Sequence, residues 1–212
     1  MQKKTENIFY NPTARKKVTR RNLPHWNQSE KMYFTTFRTA DSIPQDRIKV
    51  FRQEKQLWQR NHSKPYNENE KAEHRLLFSD KMNTWLDNCH GKCLLRKPEC
   101  VTVVRDAMEH FDKERYFLDH WVIMPNHVHV LLITCDGYNL SSILHSWKSF
   151  TSNQINRIYS WTGSFWQAET FDHIVRNAGQ LEKYREYIKM NIAKAGVLWS
   201  ENSIQVCLLE DD

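Results

Sequence analysis

Two histidines, His127 and His129, stand one residue apart in the apolar segment 127–134 (HVHVLLIT). In a β-strand, side chains alternate between the two faces, so both imidazoles project from one face with their Cα atoms about 7 Å apart. A single histidine on a strand is usually structural. A same-face pair fits a metal or catalytic site and a structural role equally well, because neutral imidazole is a common metal ligand. A metal bound here requires a further ligand.

Tyr187 and Asn191 lie four residues apart in a segment with helical periodicity, so they share one helical face. A tyrosine hydroxyl is a possible nucleophile, and its phosphate ester retains the bond energy for a later joining step. An asparagine oxygen can complete an oxygen and imidazole shell around Mg²⁺ or Mn²⁺. By themselves the two residues fit better a half-buried tyrosine that anchors a helix. Their combination with the histidine pair points to phosphodiester chemistry.

One competing class is the histidine-triad nucleotide hydrolases, which use a His-x-His-x-His motif. The third position of that motif is Leu131 in this chain. Residue identity therefore excludes the class.

The net charge of +6 is concentrated at the start of the chain, because residues 1–31 hold eight Lys or Arg and two Glu, and residues 32–212 sum to zero. We expect residues 1–31 to be a flexible basic arm that contacts phosphate backbones, because the release of counterions from the nucleic acid favours binding. A solubilising tail is the alternative. The candidate contact residues are Arg15, Lys16, Lys17, Arg20 and Arg21.

The elements that must position these residues follow from periodicity and turn residues. Order is expected to begin near Met32. We expect strands at 32–39, 116–124, 127–134 and 164–170, and helices at 44–60, 69–88, 98–111, about 139–158 and 180–195. The pair 116–124 and 127–134 is expected to form a β-hairpin. This order predicts an α+β fold in which helices pack on an antiparallel sheet.

Cysteine usage and hydropathy indicate a cytosolic protein. Five cysteines are an odd number, which argues against a secreted disulfide framework. The irregular Cys89-x3-Cys93 spacing, with His90 and Cys100 nearby, favours reduced thiols over a structural zinc site. The sequence has no run of 18 apolar residues, and no apolar core of a signal peptide at the N-terminus, so we expect no membrane partner.

Several segments closely resemble the single-tyrosine HUH transposases (the transposase IS200-like family), and most closely the branch associated with repetitive extragenic palindromes (REP). The resemblance runs from about residue 26 to residue 199, in the family's motif order. Its segments are 121–132 (WVIMPNHVHVLL), 146–151 (SWKSFT), 165–167 (FWQ), 171–176 (FDHIVR) and 187–196 (YIKMNIAKAG).

The resemblance implies a role for each matching residue: His127 and His129 as the metal-binding pair, Asn191 as the third ligand and Tyr187 as the nucleophile. It also implies a ferredoxin-like fold, Mg²⁺ or Mn²⁺ as cofactor, and hairpin-forming single-stranded DNA as the substrate for transposition. We expect a catalytic domain at 32–199, with a helical insertion at about 43–90 and a tail at 200–212. The covalent intermediate would be a 5′-phosphotyrosine.

Lys148 and Arg176 lie in family-like segments and are further candidates for DNA contact, with ordinary surface charge as the alternative. Trp147 and Trp166 fit core packing better than base stacking. His173 fits a structural role or a role beside the metal.

Two other functions remain open at this point. One is a domesticated protein that binds hairpin DNA without cutting it, and the other is a metal-dependent phosphodiesterase that uses water. We expect a cytoplasmic, nucleoid-associated monomer or homodimer.

Overall fold

The structure is a computed structural model that describes residues 8–14, 17–20, 24–195 and 198–201. Its strands are β1 (Lys17–Arg20), β2 (Pro24–Asn27), β3 (Met32–Arg38), β4 (Tyr116–Ile123), β5 (His127–Thr134), β6 (Phe171–Ile174) and β7 (Leu198–Glu201). Its α-helices are α1 (Gln45–Asn61), α2 (Glu68–His74), α3 (Lys81–Asp87), α4 (Pro98–Glu109), α5 (Leu140–Ile158) and α6 (Ala178–Ala195). A π-helical turn, Arg75–Asp80, joins α2 to α3.

The main sheet has five antiparallel strands in the order β6-β3-β5-β4-β7. Helix α4 precedes β4, and α5 connects β5 to β6, so the core reads β-α-β-β-α-β along the chain. The first of these four strands lies beside the fourth and the third, as in a ferredoxin-like fold. The α+β prediction is therefore confirmed, and β7 extends the sheet at the β4 edge.

Strand β5 is apolar at almost every position because helices cover both faces of the sheet. Val128, Val130 and Leu132 belong to the larger core, which includes residues of α4 and α5. Leu131 belongs to a second core, which includes Ile188 of α6. Since side chains alternate, His127 and His129 project from the α6 face of the sheet.

The helical insertion between β3 and β4 has small cores of its own. Ile43, Ile48 and Leu86 form one cluster, and Phe51, Trp58 and Phe78 form another. The helices predicted at 44–60 and 69–88 are both present, although the π-helical turn interrupts the second. None of the helices among the described residues is long and apolar enough to cross a bilayer.

The prediction that order begins near Met32 is wrong. Strands β1 and β2 form an antiparallel hairpin, and the backbone at Ile8 and Tyr10 bonds to Met32 and Val175. Gln28 is buried, and its side chain both donates to and accepts from the backbone of Asn11. These long-range main-chain bonds leave no periodic signal in the sequence. The segments 8–14, 17–20 and 24–31 are thus ordered parts of the fold.

The arm residues proposed for DNA contact are only partly described. Arg15, Lys16 and Arg21 lie outside the described residues. The backbone of Lys17 and Arg20 is in β1. Their role in DNA binding stays a prediction.

The strand predicted at 164–170 is also wrong, because the fourth core strand is β6 at Phe171–Ile174. Phe165 and Trp166 are adjacent in sequence, yet both are buried in the larger core, which an alternating strand does not allow. Only an isolated bridge, between Trp166 and Thr39, ties this segment to the sheet edge. At the other end, β7 crosses the boundary predicted at residue 199, and residues 202–212 lie outside the described part of the chain.

A buried ion pair fastens α6 to the sheet. The register of β4 shifts between Leu118 and Trp121, and Asp119 lies at that shift. The carboxylate of Asp119 accepts from Arg185 Nη2 at 2.6 Å and Nε at 2.9 Å, and it contacts His120 Nδ1 at 2.9 Å. Burial by itself raises the pKa of Asp119, but the bonds from His120 and Arg185 outweigh it and hold the pKa below its ordinary value.

Arg185→Met should destabilise the protein by about 3 kcal/mol, because it leaves the Asp119 carboxylate buried without its cation. Urea unfolding at pH 7 measures the effect, with Lys189→Met on the exposed side of α6 as the matched control. Since the folded pKa of Asp119 is lowered, the pair stabilises the wild type above pH 3.8 and this contribution is lost as pH falls further. Equal unfolding midpoints for the two variants at pH 7 would contradict this role.

Candidate active site

The two histidines of β5 converge below α6. His127 and His129 are at most 1% exposed, and their Nε2 atoms lie 3.0 Å apart. Burial lowers the pKa of His127 to about 3, and burial together with the charges of His127 and Lys194 lowers that of His129 well below its ordinary value. Both rings are therefore neutral near pH 7, and the neutral imidazole is the form that binds metals.

Hydrogen bonds at the opposite ring nitrogens orient both imidazoles. Asn126 Nδ2 donates to the His90 carbonyl at 3.1 Å, which turns Asn126 Oδ1 toward His127 Nδ1 at 2.8 Å. An amide oxygen only accepts, so His127 carries its proton on Nδ1 and presents a lone pair at Nε2. Thr36 Oγ1 lies 2.7 Å from His129 Nδ1 and can donate or accept. The sequence prediction missed both Asn126 and Thr36.

Different signals would have revealed these two residues. Asn126 directly precedes the histidine motif, in the tight turn between β4 and β5, and a buried polar residue there suggests an orienting partner. Thr36 is on β3, and it faces His129 because of the strand register. Register is a property of the fold and leaves no local trace in the sequence.

Asn191 supplies an unsatisfied oxygen near the histidines. It is fully buried, and its Nδ2 donates to the Tyr187 carbonyl at 2.8 Å. Its Oδ1 accepts no hydrogen bond from the described part of the chain. A buried acceptor without a partner is costly, so its presence calls for a ligand.

The donor set fits a hard or borderline divalent cation. Two imidazole lone pairs and one amide oxygen suit Mg²⁺ or Mn²⁺, with further positions open to substrate and water. Among the described residues, no group of three His, Cys, Asp or Glu side chains could hold a metal. A third protein ligand beside the two histidines would have to be of another residue type, and the Asn191 amide oxygen is such a candidate.

Tyr187 is half-buried beside the pair. Its ring lies edge-on to His129, with centroids 5.1 Å apart, and edge-on to Phe34 at 5.9 Å. Burial raises the pKa of Tyr187 to about 12; the Asn191 side chain opposes this shift, and the charges of Asp87 and Asp80 add to it. The hydroxyl is protonated at neutral pH and must lose its proton to act as a nucleophile.

Packing fixes the rotation of α6 about its axis. Leu181 and Ile188 are buried with Phe34, and the Tyr184 ring stacks on the Phe34 ring at 4.2 Å with an interplanar angle of 4°. These residues recur every three or four positions and form the face toward the sheet. Asn191 lies about one turn beyond Ile188 on this face and is fully buried.

The helical insertion forms one border of the site. Lys194 of α6 bonds to Asp87 of α3 at 3.1 Å, and the same Lys194 is close enough to lower the pKa of His129. The charges of Asp80 and Asp87 are likewise close enough to raise the pKa of Tyr187. The sequence did not predict that residues 80–87 lie near the site, because they are about 40 residues from β5 and 100 from α6 along the chain.

Lys148 has a structural role, because its ammonium group bonds to the segment before β6. Its ammonium donates to the carbonyls of Gln167 and Ala168 at 2.6 and 3.0 Å and to Thr170 Oγ1 at 3.2 Å. It holds the irregular segment before β6, while Arg176 is exposed. The prediction that either residue contacts DNA stays a prediction.

Trp147 and Trp166 are structural. Trp147 Nε1 donates to Tyr116 and Trp166 Nε1 donates to Thr151, and both rings are buried in the larger core. Base stacking by either tryptophan is thereby excluded, in favour of core packing. His173 Nε2 bonds to Gln180 Nε2 at 3.2 Å and lies on β6, which β3 separates from β5, so its role stays a prediction.

Residues 95–191 match the family model described as transposase IS200-like. No curated protein is significantly similar to the chain in sequence. One similar solved structure is a REP-associated tyrosine transposase bound to a REP hairpin, at 15% identity and a TM-score of 0.46, covering 82% of this chain and 74% of that chain. Another is a Deinococcus radiodurans protein provisionally called a transposase, at 12% identity and a TM-score of 0.36, covering 82% of this chain and 96% of that chain.

Lys148→Met should lower the free energy of unfolding by about 1–3 kcal/mol, because two carbonyls lose a charged donor. The matched change Arg176→Met, on an exposed side chain, should alter it by no more than about 0.5 kcal/mol. Urea unfolding of the two variants under one buffer condition compares them. If Lys148→Met is as stable as Arg176→Met, the three bonds of Lys148 do not hold the segment.

Proposed function

We propose that this chain, whose residues 95–191 match the transposase IS200-like family model, belongs to that family and is a tyrosine-type HUH endonuclease that cuts and rejoins single-stranded DNA. The observation that carries the proposal is the buried pair of His127 and His129 beside the ring of Tyr187, with Asn191 bonded to the Tyr187 carbonyl one turn further along α6. Three metal donors next to a single hydroxyl are the components that a phosphodiester transfer requires.

The metal that fits the site is Mg²⁺ or Mn²⁺. His127 and His129 would hold it through Nε2, and Asn191 through Oδ1. When bound, such a cation binds phosphate oxygens and offsets the charge that develops during phosphoryl transfer. Asn126 and Thr36 keep the imidazoles oriented, which lowers the cost of assembling the site.

Tyr187 is the proposed nucleophile. Its Oη attacks the phosphorus, a bond forms between them, and the bond from phosphorus to the 3′-oxygen breaks. The phenolic proton leaves during attack, and the departing 3′-oxygen takes up a proton to become a free hydroxyl. The product is a 5′-phosphotyrosine. Attack by another 3′-hydroxyl reverses these steps and joins strands without ATP.

The packing around Tyr187 supports attack by this residue rather than by water. Phe34 lies against the ring and Tyr184 stacks on Phe34, so α6 and β3 bury most of the approach from that side. The hydroxyl is therefore held in place before the substrate arrives, which lowers the entropic barrier.

The proposed substrate is single-stranded DNA that carries a hairpin, as the resemblance to the REP-associated branch suggests. Arg176 and the basic arm (Arg15, Lys16, Lys17, Arg20 and Arg21) are proposed backbone contacts. Cytoplasmic, nucleoid-associated action as a monomer or homodimer completes the proposal.

Incubation of the protein with Mn²⁺ and labelled hairpin-bearing single-stranded DNA should give a covalent adduct that survives denaturing electrophoresis. Tyr187→Phe should abolish the adduct. Tyr184→Phe is the matched control, because it removes a hydroxyl one turn away on the same helix and leaves the stack on Phe34 intact.

The other two functions predict different results. A protein that only binds hairpin DNA gives tight binding and no adduct in the wild type. A phosphodiesterase that uses water still cleaves when Tyr187→Phe is present. Loss of the adduct in Tyr184→Phe but not in Tyr187→Phe would show that Tyr184, and not Tyr187, is the nucleophile.

Mn²⁺ affinity, measured by calorimetry, should fall about 10–100-fold in Asn126→Ala, because His127 loses the partner that fixes its tautomer. Asn191→Ala should weaken binding through the loss of a ligand oxygen, and Asn191→Asp should retain it. Asn156→Ala is the control, since Asn156 lies on α5 and bonds only to the Gly163 carbonyl among the contacts described. Equal affinities for the wild type and Asn191→Ala would remove Asn191 from the metal site.

A further inference from the structure

Arg38 is the last residue of β3, and it is paired in the sheet register with His127. In the same register Thr36 pairs with His129, and their side chains are hydrogen-bonded. Directly opposed residues of an antiparallel pair project from the same face. The guanidinium of Arg38 therefore emerges on the face that carries both histidines, at the His127 end.

The environment of this guanidinium is partly desolvated. Nη1 donates to Ser42 Oγ at 2.9 Å, and Ser42, which is itself fully buried, donates to the Thr39 carbonyl at 2.7 Å. Burial, and then repulsion by Arg52 of α1, lowers the pKa of Arg38 to about 10. The group still carries its positive charge at neutral pH.

No carboxylate compensates this charge within the part of the chain that the structure describes. None of the ion pairs there involves Arg38 or Arg52. The nearest acid along the chain, Asp41, accepts from the backbone nitrogen of Lys92 at 2.8 Å. Holding a half-buried cation near a second cation is unfavourable unless an anion joins them.

Phosphate is the anion that best fits this pair. The planar guanidinium presents several N–H donors in a fixed fork that matches two phosphate oxygens, and Ser42 takes only one of the donors of Arg38. Arg52 is exposed on α1, and its charge acts on Arg38. A strand that enters between α1 and the end of β3 would meet both groups before it reaches the histidines.

We infer that Arg38 and Arg52 form a phosphate-binding pair for the backbone of the single strand, at the phosphodiester next to the one that is cut. This inference rests on the proposed function. It gives the helical insertion a part in the reaction, because α1 carries one of the two cations. Arg38 holds the strand in register with His127, and Arg52 adds attraction from the rim.

DNA binding at several salt concentrations tests the pair. Fluorescence anisotropy with a labelled hairpin-bearing single strand is measured for the full chain and for Arg38→Gln, Arg52→Gln and Arg60→Gln. Arg60 lies in the last turn of the same helix as Arg52 and is exposed, so it controls for net charge. We expect about ten-fold weaker binding for Arg38→Gln and a salt dependence shallower by about one phosphate contact.

Arg38→Lys keeps the charge but loses the fork, so it should restore the salt dependence and only part of the affinity. Thermal unfolding checks that each variant is folded. If Arg38→Gln is not folded, weaker DNA binding by Arg52→Gln, a change at an exposed position, tests the pair instead. A strand with one neutral methylphosphonate identifies the contact. When the methylphosphonate replaces the contacted phosphate, the wild type should bind the strand more weakly. Arg38→Gln and Arg52→Gln should then cause no further loss of binding.

The outcomes separate this inference from the proposed function. If the wild type forms the covalent adduct while Arg38→Gln and Arg52→Gln bind DNA like Arg60→Gln, the phosphate-binding pair is wrong and the nuclease stands. If the wild type binds the strand with the expected loss in both variants but forms no adduct, the pair stands and the nuclease is wrong. Absence of binding by the wild type overturns both.

Discussion

The ion pair between Asp119 and Arg185 joins the two parts of the molecule that must meet at the site. Asp119 lies at the irregularity in β4, beside the strand that carries the histidines, and Arg185 lies on the helix that carries Tyr187 and Asn191. Burying a carboxylate is expensive, and the two bonds from Arg185 and the contact with His120 offset that cost only in one geometry. The pair therefore selects one height and one rotation of α6 on the sheet, and the apolar contacts of that helix then follow.

The second constraint is the burial of the imidazoles. A strand covered on both faces keeps His127 and His129 away from water, which makes them neutral, and their Nε2 atoms lie 3.0 Å apart. Buried polar groups in such a place need partners, and Asn126 and Thr36 provide them at the outer nitrogens. Asn191 Oδ1 lacks one among the described residues. This unsatisfied oxygen, one turn from Tyr187, is the atom through which Asn191 is proposed to hold the metal.

The helical insertion adds a third element to the site. Its cores are small and separate from the cores of the sheet, so it is not needed to bury the sheet. It nevertheless brings Asp87 to Lys194 and Arg52 close to Arg38. A sheet and one helix leave the site open at one side, and α1 and α3 border it there. The proposed phosphate-binding pair gives this border a chemical role in addition to its shape.

The sequence by itself determined the helices, the β4-β5 hairpin and the α+β class, because periodicity and turn residues are local signals. It also predicted His127, His129, Tyr187 and Asn191 as site residues, because their spacing within one strand and one helix is visible along the chain. It did not reveal the ordered N-terminal hairpin, the position of β6, or the roles of Asn126, Thr36, Asp119 and Lys148. Those depend on strand register, on hydrogen bonds between distant segments and on desolvation. Only the tertiary structure decides these, since each is a relation between residues that the sequence places far apart.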